Sequence, residues 1–305
     1  MPDQSLRPWA QAWPERPGAE GAKSGNYGSS TGASGPIGAH SKGTLDALEA
    51  RLLALGPVVV AFSGGADSAF LAWVAHGTLG PERCRVATAV SPSLAAAELA
   101  DCEALASEWG LRWLPVPTDE LEDAAYVAND GDRCARCKSA LMDALVPLAA
   151  GATVVLGVNL DDLGDHRPGQ RAASERGAVF PLVDAGFTKA DVREWSRRLG
   201  LRTWDKPAAA CLSSRVPYGT PVTLAVLSRV ERAEAKVRAL GFPALRIRHY
   251  DDTARLEVPI EDLGAVLARR EDIVAAVRGA GYTYVTLDLE GLRSGNLNQA
   301  LGVVE

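Results

Sequence analysis

The stretch Asp132-Arg133-Cys134-Ala135-Arg136-Cys137-Lys138 sets two thiols three positions apart between basic side chains, and a third thiol, Cys211, stands downstream in Ala210-Cys211-Leu212-Ser213-Ser214-Arg215. Such an arrangement suits a structural zinc clip, a redox dithiol, or ligands of a site that handles sulfur. A structural zinc site wants four ligands, yet the chain has no second CxxC, so a fourth would have to be His166 or a carboxylate. Thiolates are also the soft donors that iron–sulfur clusters require. Arg133, Arg136 and Lys138 are expected to lower the thiol pKa values. Cys84 and Cys102 read as small buried side chains instead.

A second constellation is Ser63-Gly64-Gly65-Ala66-Asp67-Ser68, placed directly after the apolar run Pro57–Phe62 and opening a helix. A helix start offers unpaired N–H groups and a positive dipole end, adjacent glycines admit an anion close to the backbone, and Ser63 and Ser68 add hydroxyls. The plain alternative is a strand-to-helix turn that needs glycine for geometry and serine for a cap. It is not a Walker A loop, since the GxxxxGK[ST] spacing and its lysine are missing.

The elements that must hold these residues follow from periodicity. Helical spacing over 44–55 precedes the buried strand 57–62. Thereafter a helix (68–79), strand (84–90), helix (95–110), strand (111–118), helix (135–150), strand (152–159) and helix (188–200) alternate. Short connections between alternating elements imply an α/β fold with a doubly wound parallel sheet, over 43–207. From about 208 to 305 a smaller α+β unit is expected: a long helix (224–241), a hairpin formed by 244–250 and 254–259 around Asp251-Asp252-Thr253, and a last strand at 282–289. Residues 1–42 are rich in Gly, Ser and Ala without apolar periodicity, which reads as a disordered tail.

With 305 residues the chain can bury two cores, and a 47% hydrophobic, 23% charged composition is that of a soluble protein. A formal charge of −6 argues against a protein that grips nucleic acid through its phosphates. No apolar run approaches the roughly 18 residues of a spanning helix, and no basic start leads into an apolar core, so a cytoplasmic protein is expected.

Ser63–Ser68 resembles the SGGxDS loop of the ATP pyrophosphatases, a group including NAD synthetases, GMP synthetases and tRNA thiolases. That resemblance implies ATP and Mg²⁺, with Asp67 near the metal, cleavage of ATP between its α and β phosphates, and an AMP ester of the substrate. Five further stretches, at 88–93, 157–182, 187–219, 245–258 and 287–298, are similar to the LarE-type sulfur transferases, which act in biosynthesis of the nickel-pincer nucleotide cofactor of lactate racemase. The similarity runs from about 44 to 298, and "WDKPAAACLSSRVPYG" is its most specific block.

The resemblance implies a small acidic substrate, pyridinium-3,5-biscarboxylic acid mononucleotide, whose carboxylates become thiocarboxylates. It also implies a sulfide donor and a homo-oligomer. Two mechanisms belong to the family: a single cysteine that surrenders its sulfur once, or three cysteines holding a 4Fe-4S cluster. Cys134, Cys137 and Cys211 would supply the three ligands. Cations are then expected around the substrate. Arg246 and Arg248 alternate along one strand and would form a paired clamp, with Arg215 as a third. Lys189, unfavourable for a helix dipole where it stands, would be balanced by a phosphate. Asn159, Asp161 and Asp162 follow the fourth strand at the carboxyl edge, where open α/β sheets bind ligands. Two readings compete: a tRNA thiolase sharing the loop and three cysteines, and a nucleotide-binding regulator without turnover.

Overall fold

A computed structural model describes residues 43–163, 168–207 and 210–293. Outside the described residues lie the tail 1–42, residues 164–167 within the 157–182 stretch with His166 among them, residues 208 and 209 within the 187–219 stretch, and 294–298 at the end of the 287–298 stretch. The first unit runs α1 (Leu45–Leu55), β1 (Val58–Ala61), α2 (Ala66–Leu79), β2 (Cys84–Val90), α3 (Ala96–Glu108), β3 (Trp113–Pro117), α4 (Ala124–Ala128), α5 (Arg133–Ala149), β4 (Thr153–Leu156), α6 (Pro168–Glu175), α7 (Pro181–Asp184) and α8 (Lys189–Arg198).

The four strands lie in the order β3-β2-β1-β4, and every pairing is parallel. Successive side chains of a strand face opposite sides of the sheet. Val58 and Val60 accordingly enter one core with α1, α2 and α8, whereas Val59 enters the other with Leu141, Met142 and Leu145 of α5. Helices thus flank the sheet as the unbroken valine run predicts. The chain leaves β1 toward β2 and β3 and later returns to β4 on the opposite side. This makes the carboxyl ends of β1 and β4 the point where strand order reverses, and therefore the natural crevice for a ligand.

The second unit contains α9 (Leu224–Ala239), β5 (Arg246–Tyr250), β6 (Thr253–Glu257), α10 (Leu263–Ala268), α11 (Arg270–Arg278) and β7 (Tyr284–Leu287). Strands β5 and β6 are antiparallel and turn tightly through Asp251, whose φ of 50° is left-handed; β7 joins β6 in parallel. Their core holds Ile247, Leu256, Val237, Ile273 and Val277. A further apolar cluster spans both parts of the sequence: Tyr126 of α4 packs with Leu212, Val216, Leu227 and Val230, and the half-buried Cys137 lies against it. No helix among the described residues is long and apolar enough to cross a membrane.

Candidate active site at the carboxyl edge of the sheet

The Ser63–Ser68 loop closes on itself. Ser68 Oγ accepts from the Ser63 amide at 3.2 Å, stands 3.0 Å from Ser63 Oγ and donates to the Gly65 carbonyl at 3.2 Å. Gly64 has a φ of 67°, a conformation that favours glycine, and a Cβ there would stand 2.9 Å from Cys102 Sγ. Gly65 is the N-cap of α2 and provides no side-chain cap, leaving the first amides of the helix to another partner. Cys102 and Cys84 are buried as expected, and burial pushes their thiols up to about 11 and about 12.

The end of β4 meets this loop at a close crossing. A Cβ on Gly157 would fall 2.8 Å from the Ser68 nitrogen and 2.9 Å from the Asp67 carbonyl carbon, so glycine is demanded by backbone approach. Two residues on, buried Asn159 donates from Nδ2 to Asp67 Oδ1 at 3.1 Å. Burial, and then the neighbouring Asp162 carboxylate, raise the Asp67 pKa above its ordinary value; the Asn159 bond and the Lys189 and Arg193 charges oppose the rise. Lys189 Nζ lies 3.3 Å from Asp162 Oδ1, and its backbone amide donates to Asp161 Oδ2 at 2.7 Å. The start of α8 is further closed by a capping box between Thr188 and Asp191. Carboxylates thus already answer the helix dipole for which the sequence suggested a phosphate.

The thiols sit on two segments. Cys134 and Cys137 occupy the first turns of α5, one turn apart, so they share a face; the sequence had placed the helix start slightly later. Cys134 is exposed, while Cys137 and Cys211 are half-buried. The Cys137 thiol is pushed up to about 12, chiefly by burial and then by Cys211, with Lys138 only partly compensating. The expected lowering by neighbouring cations therefore does not reach Cys137. One reason is that Arg133 turns inward: it is buried and donates to Asn129 Oδ1 at 2.5 Å and to the Ser213 carbonyl at 2.8 Å. Arg136 faces Asp132 and Asp123.

A buried hydroxyl triangle supports the Cys211 turn. Tyr126 Oη lies 2.6 Å from Ser93 Oγ and 2.7 Å from Ser213 Oγ, and the serines stand 3.1 Å apart. The Leu212 amide donates to the Ser93 carbonyl at 2.8 Å. Asn129 Nδ2 reaches the Pro217 and Thr220 carbonyls at 2.7 and 2.8 Å. Tyr126, which carries no sequence signal beyond being one aromatic in a short helix, thereby joins α4 to the Cys211 turn. Cys137 lies against the apolar cluster that holds Leu212, the residue after Cys211, and Arg133, the residue before Cys134, donates to the Ser213 carbonyl, so the two segments that carry the three thiols pack together. The donor chemistry fits a thiolate-bound cluster, but the gathering is incomplete: among the described residues no group of three His, Cys, Asp or Glu is close enough to hold a metal.

The three arginines expected at the substrate have distinct environments. Arg215 pairs through Nε with Glu234 Oε1 at 2.8 Å and through Nη2 with Oε2 at 3.2 Å, and also donates to the Cys211 carbonyl at 3.1 Å. Arg248 makes a two-pronged pair with Glu257 at 3.0 and 2.8 Å and donates to the Ser214 carbonyl at 2.7 Å. Both are buried beside fully buried carboxylates. Arg246, half-buried, donates to the Arg293 carbonyl at 2.9 Å. Burial and the charges of Arg248 and Arg215 lower its pKa, which marks a cationic locality suited to an anion. Glu234 and Glu257, absent from the sequence reading, hold two of the expected clamp residues in place beneath the Cys211 turn.

This chain is 37% identical over 257 residues to the pyridinium-3,5-bisthiocarboxylic acid mononucleotide synthase of Lactiplantibacillus plantarum, covering 83% of this chain and 93% of that one. The chain belongs to the LarE family. An uncharacterized protein of Synechocystis sp. is 44% identical over 252 residues, 81% of this chain and 94% of its own. One from Methanocaldococcus jannaschii is 26% identical over 240 residues, 78% and 91% of the two chains. No family model matches. These alignments span both units, so the family likeness includes the loop, the α5 thiols' region and the Cys211 turn alike.

Proposed function

We propose that this protein converts the carboxylates of pyridinium-3,5-biscarboxylic acid mononucleotide to thiocarboxylates at the expense of ATP. A substrate carboxylate oxygen attacks the α phosphorus of ATP, pyrophosphate leaves, and an acyl-adenylate forms. A sulfur nucleophile then attacks the carbonyl carbon and AMP departs, since AMP is a far better leaving group than oxide. Ser63, Gly64, Gly65 and Ser68 hold the leaving pyrophosphate through hydroxyls and helix-start amides. Asp67, with Asn159 beside it, would hold Mg²⁺, whose charge would relieve the Asp67–Asp162 repulsion, and Asp161 and Lys189 brace that corner. Arg246 meets the anionic substrate, while Arg215 and Arg248 orient the surrounding backbone.

Sulfur arrives at the Cys134, Cys137 and Cys211 thiols. These three would hold a 4Fe-4S cluster, which when bound supplies an exchangeable sulfide at the iron lacking a protein ligand. The observation that carries the reading is the packing of the thiol-bearing end of α5 on the Cys211 turn, Cys137 against the Leu212 cluster and Arg133 donating to the Ser213 carbonyl, in a chain whose Lys206, five positions before Cys211, touches the Gly64 carbonyl. Fully extended, five residues span about 18 Å, a ceiling on the separation of the two Cα atoms that supports one substrate served by both thiol and loop. The incompletely gathered thiols favour one second reading, sacrificial donation from Cys211 alone.

The test is anaerobic reconstitution followed by turnover with ATP, sulfide and the dicarboxylate nucleotide. A cluster enzyme should carry about four irons per chain and release more than one equivalent of thiocarboxylate. Cys211→Ser should abolish product while ATP binding survives. Conversion of Cys211 to dehydroalanine after one turnover, read as loss of H₂S from the intact mass, would replace the cluster reading by the sacrificial one.

A further inference from the structure

Lys206 lies in the segment between α8 and the Cys211 turn, and its ammonium is mostly buried, with 19% of the side chain exposed. Its three donor positions are directed to three acceptors. Nζ reaches the Gly64 carbonyl at 3.2 Å, Glu98 Oε2 at 2.9 Å and Asp101 Oδ2 at 2.7 Å. Arg202, four residues earlier, holds Asp101 at 2.7 Å and Glu108 at 3.0 Å, so the acidic face of α3 is clamped along its length by one segment. Burial works against the Lys206 ammonium, yet the bonds to Asp101 and Glu98 outweigh it and raise its pKa.

Lys206 has two carboxylates as partners, so its charge is already balanced and it is poorly suited to act as a direct phosphate ligand. What it does hold is the carbonyl of the residue with left-handed φ at the centre of the anion loop. Turning a peptide carbonyl toward α3 turns the N–H of the same peptide unit, that of Gly65, the other way, because the peptide group is planar and trans. The carbonyl of Gly64 and the amide of Gly65 thus form a single rigid plate with Lys206 on one side.

We propose that Lys206 is a positioning residue that holds the Gly64–Gly65 peptide in its anion-binding orientation and thereby links the ATP loop to the segment bearing Cys211. This rests on the adenylating role assigned above to the Ser63–Ser68 loop. Lys206 stands five positions before Cys211 in the sequence, and the turn that follows Cys211 is itself fixed just ahead of α3, where the Leu212 amide donates to the Ser93 carbonyl.

Removing Lys206 alone leaves two half-buried carboxylates that would repel phosphate, so the informative pair lacks them. Full-length Glu98→Gln/Asp101→Asn is compared with the triple variant that adds Lys206→Met, by calorimetric binding of Mg²⁺-ATP and of pyrophosphate. With the strut in place and then absent, the triple variant should bind both at least about tenfold more weakly than the double, the loss of one charge-assisted bond. In the otherwise native chain Lys206→Arg, which can still donate to the Gly64 carbonyl, should recover affinity relative to Lys206→Met. Equal affinity of double and triple variants would overturn the strut, since Lys206 would then act only by neutralising its acids. Equally weak binding by the folded Lys206→Arg and Lys206→Met variants would overturn it as well. A wild-type protein that binds neither Mg²⁺-ATP nor pyrophosphate would instead remove the adenylating role of the loop.

Discussion

The Ser63–Ser68 loop, proposed to bind ATP, and the segments that carry the three thiols are built by opposite means. Ser63–Ser68 is contiguous: its turn is closed by two of its own serines, and the groups proposed to meet an anion are backbone amides that the strand-to-helix transition supplies. The thiols come from α5 and from a turn far downstream, and what draws them together is a scaffold of buried polar bonds, Tyr126 with Ser93 and Ser213, and Arg133 with Asn129 and the Ser213 carbonyl. A site made of backbone is set as soon as its local fold forms. One made of distant side chains is only as well ordered as the packing beneath it, and here it stops short of a finished metal cage.

Two glycines allow the halves to be disturbed separately. Gly157→Ala should have the largest effect, because the added methyl would meet the Ser68 nitrogen at 2.8 Å and the Asp67 carbonyl carbon at 2.9 Å, and backbone cannot swing aside. Overpacking of that kind costs about 1–3 kcal/mol of stability. The displaced amides should weaken Mg²⁺-ATP binding by about tenfold or more, measured by calorimetry, with iron content after reconstitution unchanged. Gly169→Ala strikes the other half: its methyl would stand 2.8 Å from the Cys134 carbonyl oxygen and 2.8 Å from Lys138 Cγ, wedging α6 away from the thiol-bearing end of α5. The lysine can yield but the carbonyl cannot, so a smaller stability loss of about 1–2 kcal/mol is expected, with less iron per chain and ATP affinity kept. If either variant moved both readouts together, the two halves would not be independent.

The same contrast explains what was legible in the sequence. Strand β2 and the hairpin of β5 and β6 follow directly from apolar runs and an Asp-Asp turn, and the parallel sheet follows from their alternation with helices. The loop was legible because its residues are adjacent. Arg215 and Arg248 could be picked as cations, yet their carboxylate partners Glu234 and Glu257 could not, since one is carried by a helix and the other by the neighbouring strand and only the tertiary fold pairs them. The Cys137 thiol departs from the expected lowering for a related reason: basic neighbours in sequence are not neighbours in space, since α5 turns Arg133 inward and Arg136 toward Asp132. Tyr126 and Lys206 matter through bonds to Ser93, Ser213 and Gly64, which periodicity does not encode.

The smallest expected effect concerns the seam between the loop and the end of β4. Asp67 has its pKa raised, first by burial and then by Asp162, above the ordinary 3.8 that an unfolded chain would show. Between 3.8 and the raised value the folded state therefore binds more proton than the unfolded state, so this residue's contribution falls as pH rises through that window. Asp67→Asn does not titrate and can keep a side-chain oxygen for the Asn159 amide. Without divalent cations, the variant should match the wild type at the acid end of the window and become the more stable protein as neutrality is approached, read as midpoints of urea unfolding at stepped pH. Adding Mg²⁺ near neutrality should reverse the order, because a cation stabilises two adjacent carboxylates and gains less from one. A stability difference that stayed flat with pH would show that Asp67 is not the strained member of the seam, and a Mg²⁺ response equal in both proteins would take the cation away from it.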